Sequence, residues 1–191
     1  GGAGKTTTTV LVATTMVEYF NKKVLIIDAD PHESLVMAKS QHEEEGRKMI
    51  VDVVGVSVGE DEIEYVHKKV PERAMYAAEY VLFKKVSRVM RDNVEKYDYI
   101  FFDMPGFDNE EIRATFAFSD FMIVTTGFND MEMERTRRFV ESIVNNIEKV
   151  KRDKGQYFRV FFLLTRLTML KDVRENYQEK RKKYLGNIPN I

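Results

Sequence analysis

The sequence predicts an α/β fold: a doubly wound, mainly parallel sheet with helices on both faces. Three observations carry that expectation. Short runs of β-branched, aliphatic and aromatic residues recur at 24–28, 99–103, 121–124 and 160–164, the composition of strands buried on both faces. Between them lie longer segments with apolar residues at helical spacing. Two of the runs end in an aspartate, and in a sheet wound this way the carboxyl ends of the strands are where a ligand site forms.

The chain opens on Gly1-Gly2-Ala3-Gly4-Lys5, in the middle of a motif, so a buried strand is expected to precede Gly1. Residues 6–20 place Val10, Ala13, Met16, Val17 and Phe20 at helical spacing, and Val24-Leu25-Ile26-Ile27-Asp28 is the first strand run. The polar stretch 33–48 is expected to be helical in part, and 50–58 to be a strand that bends at Gly55. Pro71 suits a first helical turn, and Leu82, Val86, Val89, Met90 and Val94 form the apolar stripe of a long surface helix. Tyr99-Ile100-Phe101-Phe102-Asp103 is the next strand, closed by the turn formers Met104-Pro105-Gly106. A helix with Phe139, Val140, Ile143, Val144, Ile147 and Val150 on its stripe separates the strands at 121–124 and 160–164. The last residues, Gly186-Asn187-Ile188-Pro189-Asn190-Ile191, read as the start of a further element, so both ends are read as internal to a longer chain.

With 191 residues, 43% of them hydrophobic, the chain suits one domain spanning 1–191 with a substantial core. Thirty Lys and Arg against 31 Asp and Glu give no overall field to attract nucleic acid or membrane, so any such binding must come from a local patch. The absence of Cys excludes disulfides and thiolate-bound zinc, and the three His form no recognisable metal cluster. No apolar run approaches the ~20 residues that span a bilayer. A soluble, cytoplasmic protein with no membrane attachment is expected.

The chemistry concentrates in three segments. In Gly1-Gly2-Ala3-Gly4-Lys5-Thr6-Thr7, glycines allow backbone N–H groups to approach phosphate oxygens with no Cβ in the way, and Lys5 adds a point charge. The helix that follows turns its positive end to the same place; Thr6 carries a hydroxyl suited to Mg²⁺, and Thr7 one suited to a phosphate oxygen. Asp28 and Asp30 end the first strand run, where an acid facing the crevice calls for a cation or water. Asp103, after four apolar or aromatic residues, matches the Walker B acid that holds Mg²⁺ through water. Gly106 allows a mobile loop there that senses a γ-phosphate.

In this order the three segments resemble the ParA/MinD family of P-loop ATPases, the deviant Walker A or SIMIBI class, over nearly the whole chain. GGAGKTTTT is similar to the family's KGGxGKTT loop, VLIIDADPHES to its DxDPQ-type segment, and YDYIFFDMPG to its Walker B segment. Asp30-Pro31 favours ParA over MinD. The resemblance implies that Gly1 to Thr7 bind ATP and that Lys5 contacts its phosphates. It also implies that Thr6 binds Mg²⁺, that Asp28 and Asp103 support the metal and its water shell, and that Asp30 orients the attacking water. An ATP-dependent homodimer, a ParB-like activator and nonspecific DNA contact, in plasmid or chromosome partition, are implied with it.

Some features depart from the pattern or leave it open. The family's signature lysine stands just before the first paired glycine, upstream of Gly1; His32 replaces a usual Gln and Gly106 a common second Pro. The other readings of the same residues are a MinD-like membrane-positioning ATPase, a metabolic P-loop ligase resembling dethiobiotin synthetase, and a scaffold that keeps the fold without hydrolysis. The basic segment 171–184, with Lys171, Arg174, Lys180, Arg181, Lys182 and Lys183, suits either DNA phosphates or a solvated helix. Arg135, Arg137 and Arg138 are read as a helix surface, and the acidic residues at 43–45 and 60–64 as wet surface.

Overall fold

The computed structural model describes residues 4–105, 115–165 and 179–186. They fall into two compact units, Lys5–Phe118 and, separately, Gly1–Gly4 with Ser119–Ile191. The first unit holds α1 (Lys5–Phe20), β1 (Val24–Asp28), α2 (Ser34–Glu44), β2 (Asp52–Gly55), α3 (Glu60–Lys69), a 3₁₀ segment (Pro71–Tyr76), α4 (Ala77–Asn93) and β3 (Tyr99–Asp103). Its sheet has the order β2-β1-β3, all parallel, with Asp28 in register with Gly55 on one side and Asp103 on the other.

Side chains alternate across this sheet and fill two separate cores. Val24, Ile26, Val53 and Phe101 point to one face, where Val10, Ala13, Met16 and Val17 of α1 and Leu35 and Val36 of α2 cover them. Leu25, Ile27, Val54, Ile100 and Phe102 point to the other face and meet Leu82, Val86, Val89 and Met90 of α4. Helices on both sides leave β1 buried along its whole length, which is why its sequence is an unbroken apolar run instead of an alternating one.

Where the sequence was polar, expectation and structure part. Glu60 and Asp61 are exposed, as the wet-surface reading has it, but with the half-buried Glu62 they form the first turn of a helix the reading did not anticipate, α3, whose last turn carries His67, Lys68 and Lys69. Both ends thus complement the helix dipole, and the few apolar residues between them, Ile63 and Val66, suffice to seat the helix against Ala77 and Val81. Pro71 does begin a helical turn, but a 3₁₀ one preceding α4. Val94 lies beyond the end of α4 and is exposed, so the buried stripe stops at Met90. The strand expected over 50–58 is confined to β2, although Val56 still donates to the Asp28 carbonyl at 2.9 Å.

In the second unit β4 (Phe121–Thr126) and β5 (Arg159–Leu164) pair in parallel. They are joined through α5 (Asp130–Phe139), a π-helical turn (Val140–Val144) and α6 (Asn145–Asp153). Asn129 caps α5 by accepting from the Glu132 amide at 2.8 Å. Met133, Thr136, Val140 and Val144 are buried, but the stripe then ends on Lys151 and not on the expected Val150, which is exposed. The extra residue of a π turn advances the helix phase, and the Lys151 stem takes the buried place while its ammonium reaches the Ser119 carbonyl at 2.6 Å. Contrary to the expectation of burial on both faces, Phe121, Ile123, Phe161 and Leu163 are exposed; Phe162 packs with Met133, Tyr184 and Leu185. Among the described residues no helix is long and apolar enough to cross a membrane.

Ile26 is fully buried at the centre of the first sheet. Ile26→Ala is expected to lower the unfolding free energy by about 2–5 kcal/mol, measured by urea denaturation, because the packed faces of β1 cannot collapse into the space left.

Candidate functional site

The carboxyl ends of β1 and β3 bring two aspartates side by side, and each is almost wholly removed from water, Asp28 at 0% and Asp103 at 1% exposure. Their surroundings differ. Asp103 takes a hydrogen bond from the Thr6 hydroxyl at 2.8 Å and from the Thr9 hydroxyl at 3.2 Å, both on the first turns of α1. Burial pushes the Asp103 carboxyl above the ordinary carboxylate range; the two threonine hydroxyls pull against that shift, the neighbouring Asp28 adds to it, and the charge of Lys5 opposes it.

Asp28 is satisfied by backbone. Its Oδ2 accepts from the Leu35 amide at 2.9 Å and the Val36 amide at 3.3 Å, and its Oδ1 from the Asp30 amide at 3.2 Å. It thereby anchors the open N–H groups of α2, seven and eight residues downstream, a task usually given to the residue at the helix start. Asp30 sits half-buried in the turn between β1 and α2, with its Oδ1 accepting from the His32 amide at 2.9 Å and its carbonyl from the Glu33 amide at 2.9 Å.

The residues singled out in the sequence thus separate into groups. Lys5, Thr6 and Asp103 converge, with Asp28 on the adjoining strand and Asp30 two residues beyond it. Gly4 has φ 78°, in the left-handed region where a side chain is strained, and so leads the chain into α1 without cost. Thr7 is exposed. Gly1, Gly2, Ala3 and Gly106 lie outside the described residues, as does most of the basic segment, Lys171 and Arg174 included. Lys180 donates to the Phe128 carbonyl at 3.2 Å and pairs with Asp130 at 2.6 Å, which ties it to the start of α5. Arg137 holds Glu134 and Glu141, and Arg138 shares Glu134, whose carboxyl is drawn down to about 2 by the Arg137 and Arg138 hydrogen bonds. These arginines make the helix surface expected of them.

Sequence reasoning missed Thr9. Its signal was present, since Thr6 and Thr9 are three apart and share a helix face. It also missed that Asp28 anchors α2, for which a bare strand-end acid carries no mark.

The donor set suits magnesium. Thr6 spends its proton on Asp103, which leaves its oxygen lone pairs for a cation, and hydroxyl and carboxylate oxygens are the hard ligands that Mg²⁺ takes. Among the described residues no group of three or more His, Asp or Glu gathers as a metal cage.

The AAA_31 family model, an AAA domain, matches residues 1–159. The chain belongs to this family. As a ParA/MinD-type domain it shares its fold with several solved structures. The pnob8 ParA structure aligns with a TM-score of 0.62 at 19% identity, over 99% of this chain and 70% of that one. A plasmid partition protein from Borrelia burgdorferi bound to AMPPNP gives 0.60 at 18%, over 94% and 76%. The MinD cell division protein of Aquifex aeolicus gives 0.57 at 19%, over 97% and 75%. No curated protein matches. At these identities the similarity establishes the α/β P-loop fold of this AAA_31 domain.

Because the folded Asp103 carboxyl lies above its ordinary 3.8, its ionised form costs stability in the metal-free protein at neutral pH. Asp103→Asn is therefore expected to raise the Tm of the metal-free protein at pH 7, at about 2–4 °C for each kcal/mol recovered. The difference should vanish as pH falls below the unfolded value of 3.8, where both side chains are neutral; calorimetry across pH measures this.

Proposed function

We propose that this domain binds ATP with Mg²⁺ and hydrolyses it as a switch that controls dimerisation in a partition or positioning system. The observation that carries the reading is the Thr6 to Asp103 hydrogen bond at 2.8 Å beside the charge of Lys5, at the start of α1. In it a metal-binding hydroxyl, a metal-supporting acid and a phosphate-seeking cation meet at one helix N-terminus.

In this reading the backbone N–H groups of Gly1, Gly2, Ala3 and Gly4 and the first turn of α1 receive the phosphates, with the Thr7 hydroxyl on a phosphate oxygen. Lys5 neutralises charge that grows on the transferring group. Thr6, Asp103 and Asp28 would hold Mg²⁺ and its water shell, and the ion would supply charge stabilisation to the phosphates. Asp30, with Oδ1 committed to the His32 amide, holds water in line with its other oxygen. Asp30-Pro31 supports a partition role over the MinD-like one, and the family supports an ATP-dependent homodimer, a ParB-like activator and a cytoplasmic, nucleoid-associated setting. Nonspecific DNA contact falls to Arg181, Lys182 and the rest of the 171–184 segment, since Lys180 is engaged with Asp130.

Lys5→Ala and Asp30→Ala are each expected to slow ATP hydrolysis by the full-length protein by at least about 100-fold. Lys5→Ala should also weaken ATP binding, whereas Asp30→Ala should leave it intact, and Thr6→Ala should abolish the Mg²⁺ dependence of affinity. A phosphate-release assay with calorimetric ATP titration measures all three. Parental rates in both Lys5→Ala and Asp30→Ala would refute the assignment.

A further inference from the structure

Glu33 has a left-handed backbone, φ 44° and ψ 42°, at the point where the Asp30 turn enters α2. Asn21 is the other non-glycine residue of that kind among the described residues. Asparagine tolerates this region; a longer side chain such as glutamate does not prefer it, so something must hold Glu33 there. Its carboxylate provides the hold. Oε1 accepts the Ser57 hydroxyl proton at 2.5 Å, across 24 residues of sequence. Gly55 makes the space: a Cβ built there would stand 2.7 Å from Glu33 Oε1 and 3.0 Å from a Val36 methyl. Gly55 itself has no left-handed backbone, so its lack of a side chain serves clearance and not conformation.

Ser57 is in turn pinned from its other side. Its carbonyl accepts from the Lys85 ammonium of α4 at 2.6 Å, and Lys85 also bonds Glu62 of α3 at 2.6 Å. Asp30 therefore lies in a short turn fastened at both ends: Asp28 holds the α2 amides, and the Glu33 carboxylate is tied to a segment braced by α3 and α4. We propose that Glu33 is a positioning residue for Asp30, and that its bond to Ser57 in the space left by Gly55 fixes the left-handed turn that sets the Asp30 carboxylate. This rests on the water-orienting role given to Asp30 above. Loss of the tether lets residue 33 relax toward ordinary backbone angles, which moves Asp30 but leaves the phosphate-binding loop untouched.

The test compares Glu33→Ala, Ser57→Ala and Gly55→Ala with Glu33→Gly in the full-length protein. Glycine lacks the tether but takes the left-handed turn without strain, so it should rescue the geometry. The first three are expected to lower kcat for ATP about tenfold at unchanged ATP affinity, and Glu33→Gly to stay within about twofold of the parent. Amide exchange at His32, Glu33 and Leu35 should quicken in Glu33→Ala and return to parental protection in Glu33→Gly. A parental kcat in Glu33→Ala and Ser57→Ala, or a Glu33→Gly protein as slow as Glu33→Ala, would overturn the proposal. A parent without ATPase activity would instead defeat the functional reading. The exchange pattern then decides the turn by itself: unchanged protection in Glu33→Ala overturns it, and loss with recovery in Glu33→Gly upholds it.

Discussion

A carboxylate with almost no access to water must be compensated by what surrounds it, and Asp103 imposes that demand on the sheet edge where β3 ends. Two hydroxyls from α1 and the nearby charge of Lys5 meet it in part, while Asp28 works against it from the adjoining strand. The incomplete compensation is itself informative. An acid held above its ordinary range by burial, next to a hydroxyl that keeps its lone pairs free, is a poor structural device and a suitable place for a hard cation.

The two strand-end acids divide their labour by the elements that reach them. Because β1 lies between β2 and β3, its carboxyl end meets α2, and Asp28 is drawn into anchoring that helix. Asp103 ends the neighbouring strand, where α1 begins, and so meets hydroxyls and a lysine. The strand order, with crossovers to opposite faces of the sheet, puts a topological switch point between β1 and β3. The same covering by α1 and α2 on one face and α4 on the other packs the scaffold behind the acids on both sides.

The unit from Ser119 onward spends its charges differently. Arg137 and Arg138 are paired with glutamates on their own helix surface, Lys180 fastens residues 179–185 to the start of α5, and Lys151 is buried against a carbonyl. A basic count taken from the sequence overstates what such a surface offers to phosphate, since a lysine committed to a carboxylate or a carbonyl has less to give.

The sequence by itself determined the α/β class and the strands at Val24–Asp28 and Tyr99–Asp103, and it singled out Lys5, Thr6 and Asp103 one by one. Strand hydrophobicity and the spacing of a phosphate loop are local properties, written in adjacent residues. It underread α3, a ten-residue helix whose charged ends were taken as surface and whose seat against α4, through Ile63, Val66 and the Glu62–Lys85 pair, is made across the fold. Only the tertiary structure decided that Asp28 binds the amides of α2, that Thr9 joins Thr6 on Asp103, and that Gly55 clears room for Glu33 to reach Ser57. Those partners are separated by 7, 94 and 24 residues; the shared helix face of Thr6 and Thr9 is written in their spacing, but the meetings of Asp28 with α2 and of Glu33 with Ser57 exist only once the sheet has brought its strand ends together.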